Sequence, residues 1–321
     1  MNNFANKIYA IASGKGGVGK TSLTASIGAA LAAKGEKVIL VDADLSGANL
    51  HSCIGILEPK YTLFDFHSRQ INSLHSVLLT TPIKNLKLIS GACGTLGMAN
   101  QKYFQKQRFI RHFKKLSADY IILDLGSGAS YNEIDFSLLA DEKVLVVTPD
   151  PLSILEAFNF IKVSLLRCIM RELRDHTDAL DVLHRMEVNR PGQLKFTMRG
   201  LLHNVSRVDD EAGTILKSIV CSYRPKLILN MLRKPDDVHE VTAIQTAAKE
   251  LLSLNVDYFG FVSYDSAVGN SLKAFKPFLL HEPKSKAAQN ISTLIDENFL
   301  CRNGHKEMTQ DHKWWRIHQY F

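Results

Sequence analysis

The stretch Gly14-Lys15-Gly16-Gly17-Val18-Gly19-Lys20-Thr21 decides the fold of this chain. It follows a short apolar run at residues 8–12, which predicts a buried strand, and it precedes an alanine-rich segment at residues 23–33, which predicts a helix. A strand, a glycine-rich loop ending in Gly-Lys-Thr and a helix are the context that a phosphate-binding P-loop requires. The sequence therefore predicts a nucleotide-binding α/β domain.

Each part of this loop has a physical role. Glycines allow the backbone to approach phosphate oxygens and to turn its N–H groups toward them. The following helix adds the partial positive charge of its N-terminus. We expect Lys20 to reach the outer phosphates and the Thr21 hydroxyl to bind Mg²⁺. The residues expected to line the nucleotide are Gly14, Lys15, Gly16, Gly17, Val18, Gly19, Lys20, Thr21 and Ser22.

Two further apolar runs end in aspartate. Residues 37–41 lead into Asp42-Ala43-Asp44, and residues 120–123 lead into Asp124. Carboxylates just past the carboxyl end of a strand lie where ligands bind in open α/β sheets. The sequence therefore predicts a metal site formed by Thr21, Asp42 and Asp124, while Asp44 faces water or a mobile switch segment. The alternative for Asp42 and Asp44 is that both are turn formers or helix caps.

The loop contains a second lysine, Lys15, and so resembles the deviant P-loop of the MinD/ParA family, whose form is Lys-Gly-Gly-x-Gly-Lys-Thr. The resemblance implies ATP and Mg²⁺ as cofactors and an ATP-dependent homodimer in which Lys15 reaches the partner's nucleotide. It also implies that Asp44 helps to position the attacking water, so that Lys15, Lys20 and Asp44 are the candidate catalytic residues. A solvated loop lysine is the alternative for Lys15.

The resemblance extends along most of the chain. It implies that Gly126, in Leu125-Gly126-Ser127-Gly128, presents its N–H to the γ-phosphate or the attacking water, and that Asn230 recognises adenine. The Asp-Leu-Gly-x-Gly form is similar to the FlhG (FleN) branch of the family. Where the family usually has proline, this chain has Ser263.

The implied fold class is α/β, a doubly wound, mainly parallel sheet flanked by helices, of the SIMIBI/MinD type of P-loop NTPase. Further strands are predicted at residues 86–89, 143–147, 226–230 and 258–262. Helices are predicted at residues 62–68, 71–79, 101–116, 151–171, 238–254 and 287–299. We expect one ATPase domain over residues 1–300, with a largely helical insertion at about residues 172–224, and a tail over residues 301–321.

Composition limits the partners. The chain has 321 residues, 45% of them hydrophobic, and a formal net charge of +7, which favours anionic partners such as nucleotides, nucleic acid or acidic lipid. No apolar run reaches ~18 residues, and residues 1–12 lack a signal-peptide pattern, so we expect a cytoplasmic protein. Its five cysteines include no Cys-x-x-Cys pair, which argues against a zinc site or a disulfide framework. Cys93, in a glycine-rich loop, is either inert or a cluster ligand.

Two segments combine cations with aromatic residues. In residues 101–116 the aromatic side chains indicate a core face, and a surface for DNA or lipid is the alternative. In the tail, Trp314, Ile317 and Phe321 fall at helical spacing beside Lys313 and Arg316. This spacing predicts a short interfacial helix for an anionic membrane surface, which would place the protein at the inner face of the membrane. The alternatives are a tail docked on the protein body and a frayed end.

Three functions remain open from the sequence. The first is an ATP-hydrolysing dimeric switch that regulates flagellum number, flagellum placement or division-site selection together with a regulatory protein partner. The second is a ParA-like partition ATPase that binds DNA non-specifically, which the charge of +7 permits. The third is a metal-cluster maturation ATPase, which the absence of paired cysteines disfavours. All three are Mg²⁺-dependent ATPases with slow turnover.

Overall fold

The structure is a computed structural model that describes residues 6–44, 47–68, 70–71, 73–91, 111–187 and 196–300. In this part of the chain the strands are β1 Lys7–Ser13, β2 Val38–Ala43, β3 Leu79–Thr80, β4 Leu86–Ile89, β5 Tyr120–Ser127, β6 Glu142–Val147, β7 Lys226–Leu232 and β8 Asp257–Ser263. The helices are α1 Lys20–Ala33, α2 Leu50–Cys53, α3 Leu63–His67, α4 Tyr131–Leu139, α5 Pro151–Glu172, α6 Thr177–Glu187, α7 Met198–Val208, α8 Asp210–Ser222, α9 His239–Leu252, α10 Ser266–Lys273, α11 Phe278–His281 and α12 Lys286–Asn298.

The strands form one sheet in the order β3-β4-β2-β5-β1-β6-β7-β8. All neighbours are parallel except β3 and β4, which confirms the predicted doubly wound, mainly parallel fold. The chain runs from β1 to β2 on one side and later fills β6, β7 and β8 on the other. The strand order therefore reverses at β1, and ligands bind at such a switch point in open α/β sheets.

Both faces of the sheet are buried, as the continuous apolar runs predicted. On β1, Ile8 and Ala10 pack into the core beneath α4 to α9, whereas Tyr9 and Ile11 pack into the core beneath α1 and α12. Alternate residues of a strand point to opposite faces, so a strand covered on both sides is apolar at every position. This arrangement leaves the ends of the strands as the places for polar function.

The prediction of a helix over residues 71–79 is wrong. The structure has a 3₁₀-helix at Leu74–Val77, followed by the short antiparallel edge strand β3. Two-residue edge strands carry no periodicity that a sequence can reveal. By contrast, the helix predicted at residues 62–68 is confirmed as α3, which Thr62 and Asp65 cap reciprocally.

Three helices, α6, α7 and α8, lie in the span predicted to be largely helical, and their apolar faces belong to the same core as α5. That this span is an insertion stays a prediction. Of the helix predicted at residues 101–116, residues 101–110 lie outside the described residues, whereas Phe113 and Leu116 are buried in the core. Cys93 and the tail over residues 301–321 also lie outside them. Among the described helices, none is both long and apolar enough to cross a membrane.

Candidate functional site

The glycine-rich loop joins β1 to α1 at the point where the strand order reverses. Gly17 and Gly19 have φ angles of 80° and 81°, a left-handed conformation that favours glycine. Gly14 is required for a different reason, because a Cβ atom there would lie 2.3 Å from the backbone carbonyl oxygen of Glu156 in α5. The loop is therefore shaped by backbone freedom at two positions and by close helix packing at a third.

Lys20, at the start of α1, is buried against the end of β5. Its Nζ lies 2.9 Å from Asp124 Oδ1, and the two side chains are only 8% and 1% exposed. The Thr24 hydroxyl, one helical turn after Lys20, donates to the same carboxylate oxygen at 3.0 Å. A buried ammonium group needs such a counter-charge and hydrogen-bond partner. Sequence reasoning missed Thr24, although its position four residues after Lys20 in α1 is the signal that could have found it.

Asp42 stands opposite Asp124 in the register of β2 and β5 and is completely buried. Its carboxylate accepts hydrogen bonds from the backbone N–H groups of Leu50 at 3.0 Å and Asp44 at 3.3 Å. Burial, together with the nearby Asp124 charge, raises the pKa of Asp42 to about 8. A divalent cation beside these two carboxylates would relieve their repulsion, and Thr21, Asp42 and Asp124 offer the oxygen ligands that Mg²⁺ prefers. The donor set thus fits the predicted metal.

Asp44 lies beyond the end of β2, where it faces the segment after Asp124. Its Oδ1 accepts a hydrogen bond from the backbone N–H of Gly47 at 2.9 Å. A Cβ atom on Gly126 would lie 3.4 Å from this oxygen and 2.7 Å from Oε1 of Glu133. The structure therefore brings Asp44 and Gly126 together, as expected, and adds Glu133. The Ser130-x-x-Glu133 spacing predicts a helix cap, and Ser130 donates a short hydrogen bond to Glu133.

Lys15 points away from the Lys20 pocket. Its Nζ lies 3.1 Å from Asp150 Oδ1, and the two side chains are 40% and 39% exposed. Asp150 also caps α5 by accepting a hydrogen bond from the Ser153 backbone N–H at 3.0 Å. Sequence reasoning gave Asp150 no role. A single chain does not test the predicted contact of Lys15 with a partner's nucleotide.

Asn230, at the end of β7, contacts the P-loop directly. Its side-chain Nδ2 donates to the Val18 backbone carbonyl at 2.7 Å, and the residue is 7% exposed. A Cβ atom on Gly19 would lie 2.5 Å from the same nitrogen. The next residue, Met231, has a φ of 61°, where the register of β7 on β8 shifts. The predicted base-recognising residue thus lies beside the loop, on the side opposite Asp42 and Asp124.

Residues 9–278 match the family model described as the CobQ/CobB/MinD/ParA nucleotide binding domain. The antiactivator FleN of Pseudomonas aeruginosa is 35% identical over 159 residues, which are 49% of this chain and 56% of that protein. The flagellum site-determining protein YlxH of Helicobacter pylori is 32% identical over 49% of this chain and 53% of its own length. The chain thus matches about half the length of these curated relatives.

A solved structure agrees with the observed architecture. The septum site-determining protein MinD of Pyrococcus horikoshii, in complex with Mg-ADP, superposes with a TM-score of 0.63 at 21% identity. The match covers 91% of this chain and 95% of that one. At this level of identity the likeness concerns the fold.

Proposed function

Because the chain belongs to the CobQ/CobB/MinD/ParA nucleotide-binding family, we propose that it is an ATP-binding and hydrolysing dimeric switch that regulates positioning in the cell. The processes proposed for it are the control of flagellum number or placement and the selection of the division site. The names of the relatives from Helicobacter pylori and Pyrococcus horikoshii, which refer to flagellum and septum sites, support this proposal. Hydrolysis would reset the dimer and its affinity for a regulatory partner.

The proposal rests mainly on the different environments of the two lysines, Lys15 and Lys20. Lys20 is buried and pairs with Asp124 inside its own pocket, whereas Lys15 stands half-exposed at the rim, on the N-terminus of α5. Beside Lys15, on the first turns of α5, Leu152 and Leu155 are 61% and 60% exposed. A charged residue and two exposed leucines at the mouth of a phosphate site suit a surface that a second copy covers.

The chemistry proposed for the site combines its geometry with the roles that the family resemblance implies. The N–H groups of residues 14–21 and the Lys20 ammonium hold the phosphates of ATP. Thr21, Asp42 and Asp124 would hold Mg²⁺, which would supply positive charge to offset that of the phosphates. Asp44, next to Gly126, orients the water that attacks the γ-phosphate, and the Gly126 N–H donates to that phosphate or to the water. The products are ADP and inorganic phosphate, and turnover is slow.

The proposal is tested by changing Lys15 to Ala. A charge that reaches the partner's phosphates acts only in the dimer, so the Lys15→Ala protein should bind ATP with near wild-type affinity but form no ATP-dependent dimer and hydrolyse no ATP. Light scattering with ATP and with ADP, together with a phosphate-release assay, measures these properties. An active Lys15→Ala protein that dimerises with ATP would contradict the proposed switch.

A further inference from the structure

Two carboxylates converge on Gly126, which lies two residues beyond Asp124 in β5. A Cβ atom on Gly126 would lie 2.7 Å from Oε1 of Glu133 and 3.4 Å from Oδ1 of Asp44. Both oxygens lie close to one point, and a single water molecule with hydrogen bonds of about 3 Å can bridge two acceptors so placed. Asp44 comes from the segment after β2, whereas Glu133 comes from the first turn of α4. The pair is therefore formed by two separate parts of the chain.

The segment that carries Gly126 lies against the P-loop. The Ser127 hydroxyl oxygen would lie 3.6 Å from a Cβ atom on Gly16, and the Gly128 backbone N–H donates to the Ser13 carbonyl at 2.9 Å. The pairing of β5 with β1 also shifts register here, as in a β-bulge. Bulges are frequent next to active sites, where they redirect a side chain. The point that the two carboxylates share thus lies beside the phosphate loop.

The Glu133 carboxylate uses its two oxygens differently. The Ser130 hydroxyl, at the N-cap of α4, donates to Oε2. Among the described residues no group donates to Oε1, the oxygen beside Gly126. The helix itself is firmly placed, because Ile134 and Phe136 are 1% and 2% exposed in the core. A role as helix cap therefore accounts for one oxygen of Glu133 and leaves the other for a ligand.

We infer that Glu133 is a second residue that positions the attacking water, which it holds together with Asp44. The inference rests on the proposed function, because it requires ATP with its phosphates in the P-loop. A carboxylate repels a phosphate but attracts the protons of water, so the space between the two carboxylates suits a water molecule. The water donates one proton to each carboxylate, and a lone pair on its oxygen remains for the γ-phosphorus.

Hydrolysis then follows with all atoms accounted for. A bond forms between the water oxygen and the γ-phosphorus, while the bond from this phosphorus to the β–γ bridging oxygen breaks. ADP leaves with the bridging oxygen and its electron pair. One water proton passes to a carboxylate of the pair and from there to solvent, and the other stays on the inorganic phosphate.

The experiment compares Glu133→Gln with the wild-type full chain. Glutamine has nearly the same size and also serves in this capping position, so only the charge and one acceptor are lost. We expect kcat for ATP to fall at least ~10-fold, while KM for ATP, ATP-dependent dimerisation and Tm stay at wild-type values. Phosphate release, light scattering and circular dichroism melts measure these properties. A residue that only caps α4 would leave kcat unchanged.

A double mutant tests whether both carboxylates act on the same water. Asp44→Ala/Glu133→Gln should hydrolyse ATP about as slowly as Asp44→Ala alone, because groups that act as a unit are not additive. Two independent roles would give a further loss of about tenfold. Glu211→Gln, which neutralises a first-turn carboxylate of α8, is the control and should keep wild-type kcat.

Three results would overturn the inference. They are a wild-type kcat in Glu133→Gln, a raised KM for Mg-ATP in this variant without a loss of kcat, and fully additive losses in the double mutant. The proposed function fails separately, and the inference with it, if the wild-type protein neither dimerises with ATP nor hydrolyses it.

Discussion

Asp42 and Asp44 are two residues apart, but their surroundings assign them different tasks. Asp42 is completely buried at the end of β2 opposite Asp124, whereas Asp44 lies past the strand and is partly exposed. A buried carboxylate beside another carboxylate is stabilised by a cation, and this suits Asp42 to the metal. A partly exposed carboxylate next to Gly126 can contact both solvent water and a phosphate. Substitution of Asp42 should therefore impair a different property of the site, metal binding, from the one that substitution of Asp44 impairs.

We expect Asp44→Ala to bind ATP and to dimerise, but to hydrolyse ATP at least ~100-fold more slowly, as is typical when a group that handles the attacking water is lost. Asp124→Ala should instead weaken Mg-ATP binding, because it removes a proposed metal ligand and the buried partner of Lys20. Phosphate release and light scattering with ATP separate these effects. Wild-type turnover in Asp44→Ala would refute its assignment.

The sequence predicted the site residues that stand at strand ends and missed those defined by distant contacts. Asp42 and Asp124 each close an apolar run, so a local pattern was sufficient to select them, whereas Asn230 was selected through the family resemblance. Asp150 contacts Lys15 across 135 residues of chain, and Thr24 contacts Asp124 across 100. No local pattern encodes the pair of Lys15 and Asp150, whereas the position of Thr24 one helical turn after Lys20 is a local signal that was overlooked. Glu133 was missed because it lies within α4 and closes no apolar run.

Among the elements, α5 is the one that determines the shape of the P-loop. The backbone atoms of Glu156 and Ala157 pack against Gly14. A Cβ atom on Gly14 would lie 2.3 Å from the Glu156 carbonyl group and 2.7 Å from the Ala157 nitrogen. The N-terminal cap of α5, Asp150, holds Lys15, and its side chain Arg167 forms an ion pair with the buried Asp135 of α4 at 3.1 Å. The helix thus connects the P-loop with the helix that follows the Gly126 segment.

Gly14→Ala tests this connection. The added methyl group meets backbone rather than a flexible side chain, so α5 must move, and we expect a loss of about 1–3 kcal/mol in the free energy of unfolding together with weaker ATP binding. Gly269→Ala is the matched control, because a Cβ atom at this position of α10 has no atom within 4 Å. It should stabilise the protein by up to about 1 kcal/mol. Chemical denaturation measures both variants, and equal effects would contradict the packing argument.

The helices α6 to α8 have an ion pair that depends on pH. His176 Nδ1 lies 2.7 Å from Asp209 Oδ2, which joins the residue before α6 to the residue before α8. The hydrogen bond to Asp209 raises the pKa of His176 above 6.5. Hydrogen bonds from the Ala212 backbone N–H and from His176 lower the pKa of Asp209 below 3.8. The His176–Asp209 ion pair therefore makes its full contribution to stability between pH 3.8 and pH 6.5.

As pH rises through the folded pKa of His176, the contribution of the pair is lost. His176→Ala should therefore lower the Tm at about pH 6 and have a smaller effect at about pH 9. Circular dichroism melts at both pH values measure the difference. His203→Ala, which removes an exposed histidine of α7, is the control for the loss of a histidine from these helices. A His176→Ala effect that does not change with pH would exclude the ion pair as a source of stability.

The molecule as a whole separates two kinds of chemistry on either side of α1. Carboxylates lie at the ends of β2 and β5, and the Asn230 amide lies at the end of β7. The reversal of strand order at β1 produces this separation, because it directs later strands to the opposite side of the P-loop. Strand composition predicted the sheet, but the side of β1 on which each strand lies came only from the structure.

The last described residues before the tail lie near the amino ends of the strands, opposite the candidate site. Phe299, just after α12, packs on Tyr9 near the start of β1 at 4.6 Å and on Phe259 near the start of β8 at 5.4 Å. From its sequence, the tail has three apolar side chains at helical spacing, Trp314, Ile317 and Phe321, beside two cations. Each buried apolar side chain contributes on the order of 1–3 kcal/mol, and each cation near acidic lipid about 1 kcal/mol. One tail would therefore bind a membrane weakly once its ordering cost is subtracted.

Two tails in an ATP-dependent dimer act together and gain avidity without any new contact. We therefore propose that nucleotide state controls residence on an anionic membrane, the link that a positioning switch needs. The full-length protein should sediment with anionic liposomes in ATP and much less in ADP, and deletion of residues 313–321 should abolish sedimentation while ATP hydrolysis persists. Lys15→Ala, unable to dimerise, should stay in the supernatant. If the ATP-bound protein ignores liposomes but shifts non-specific duplex DNA in a salt-sensitive way, the membrane proposal is wrong and the ParA-like alternative replaces it.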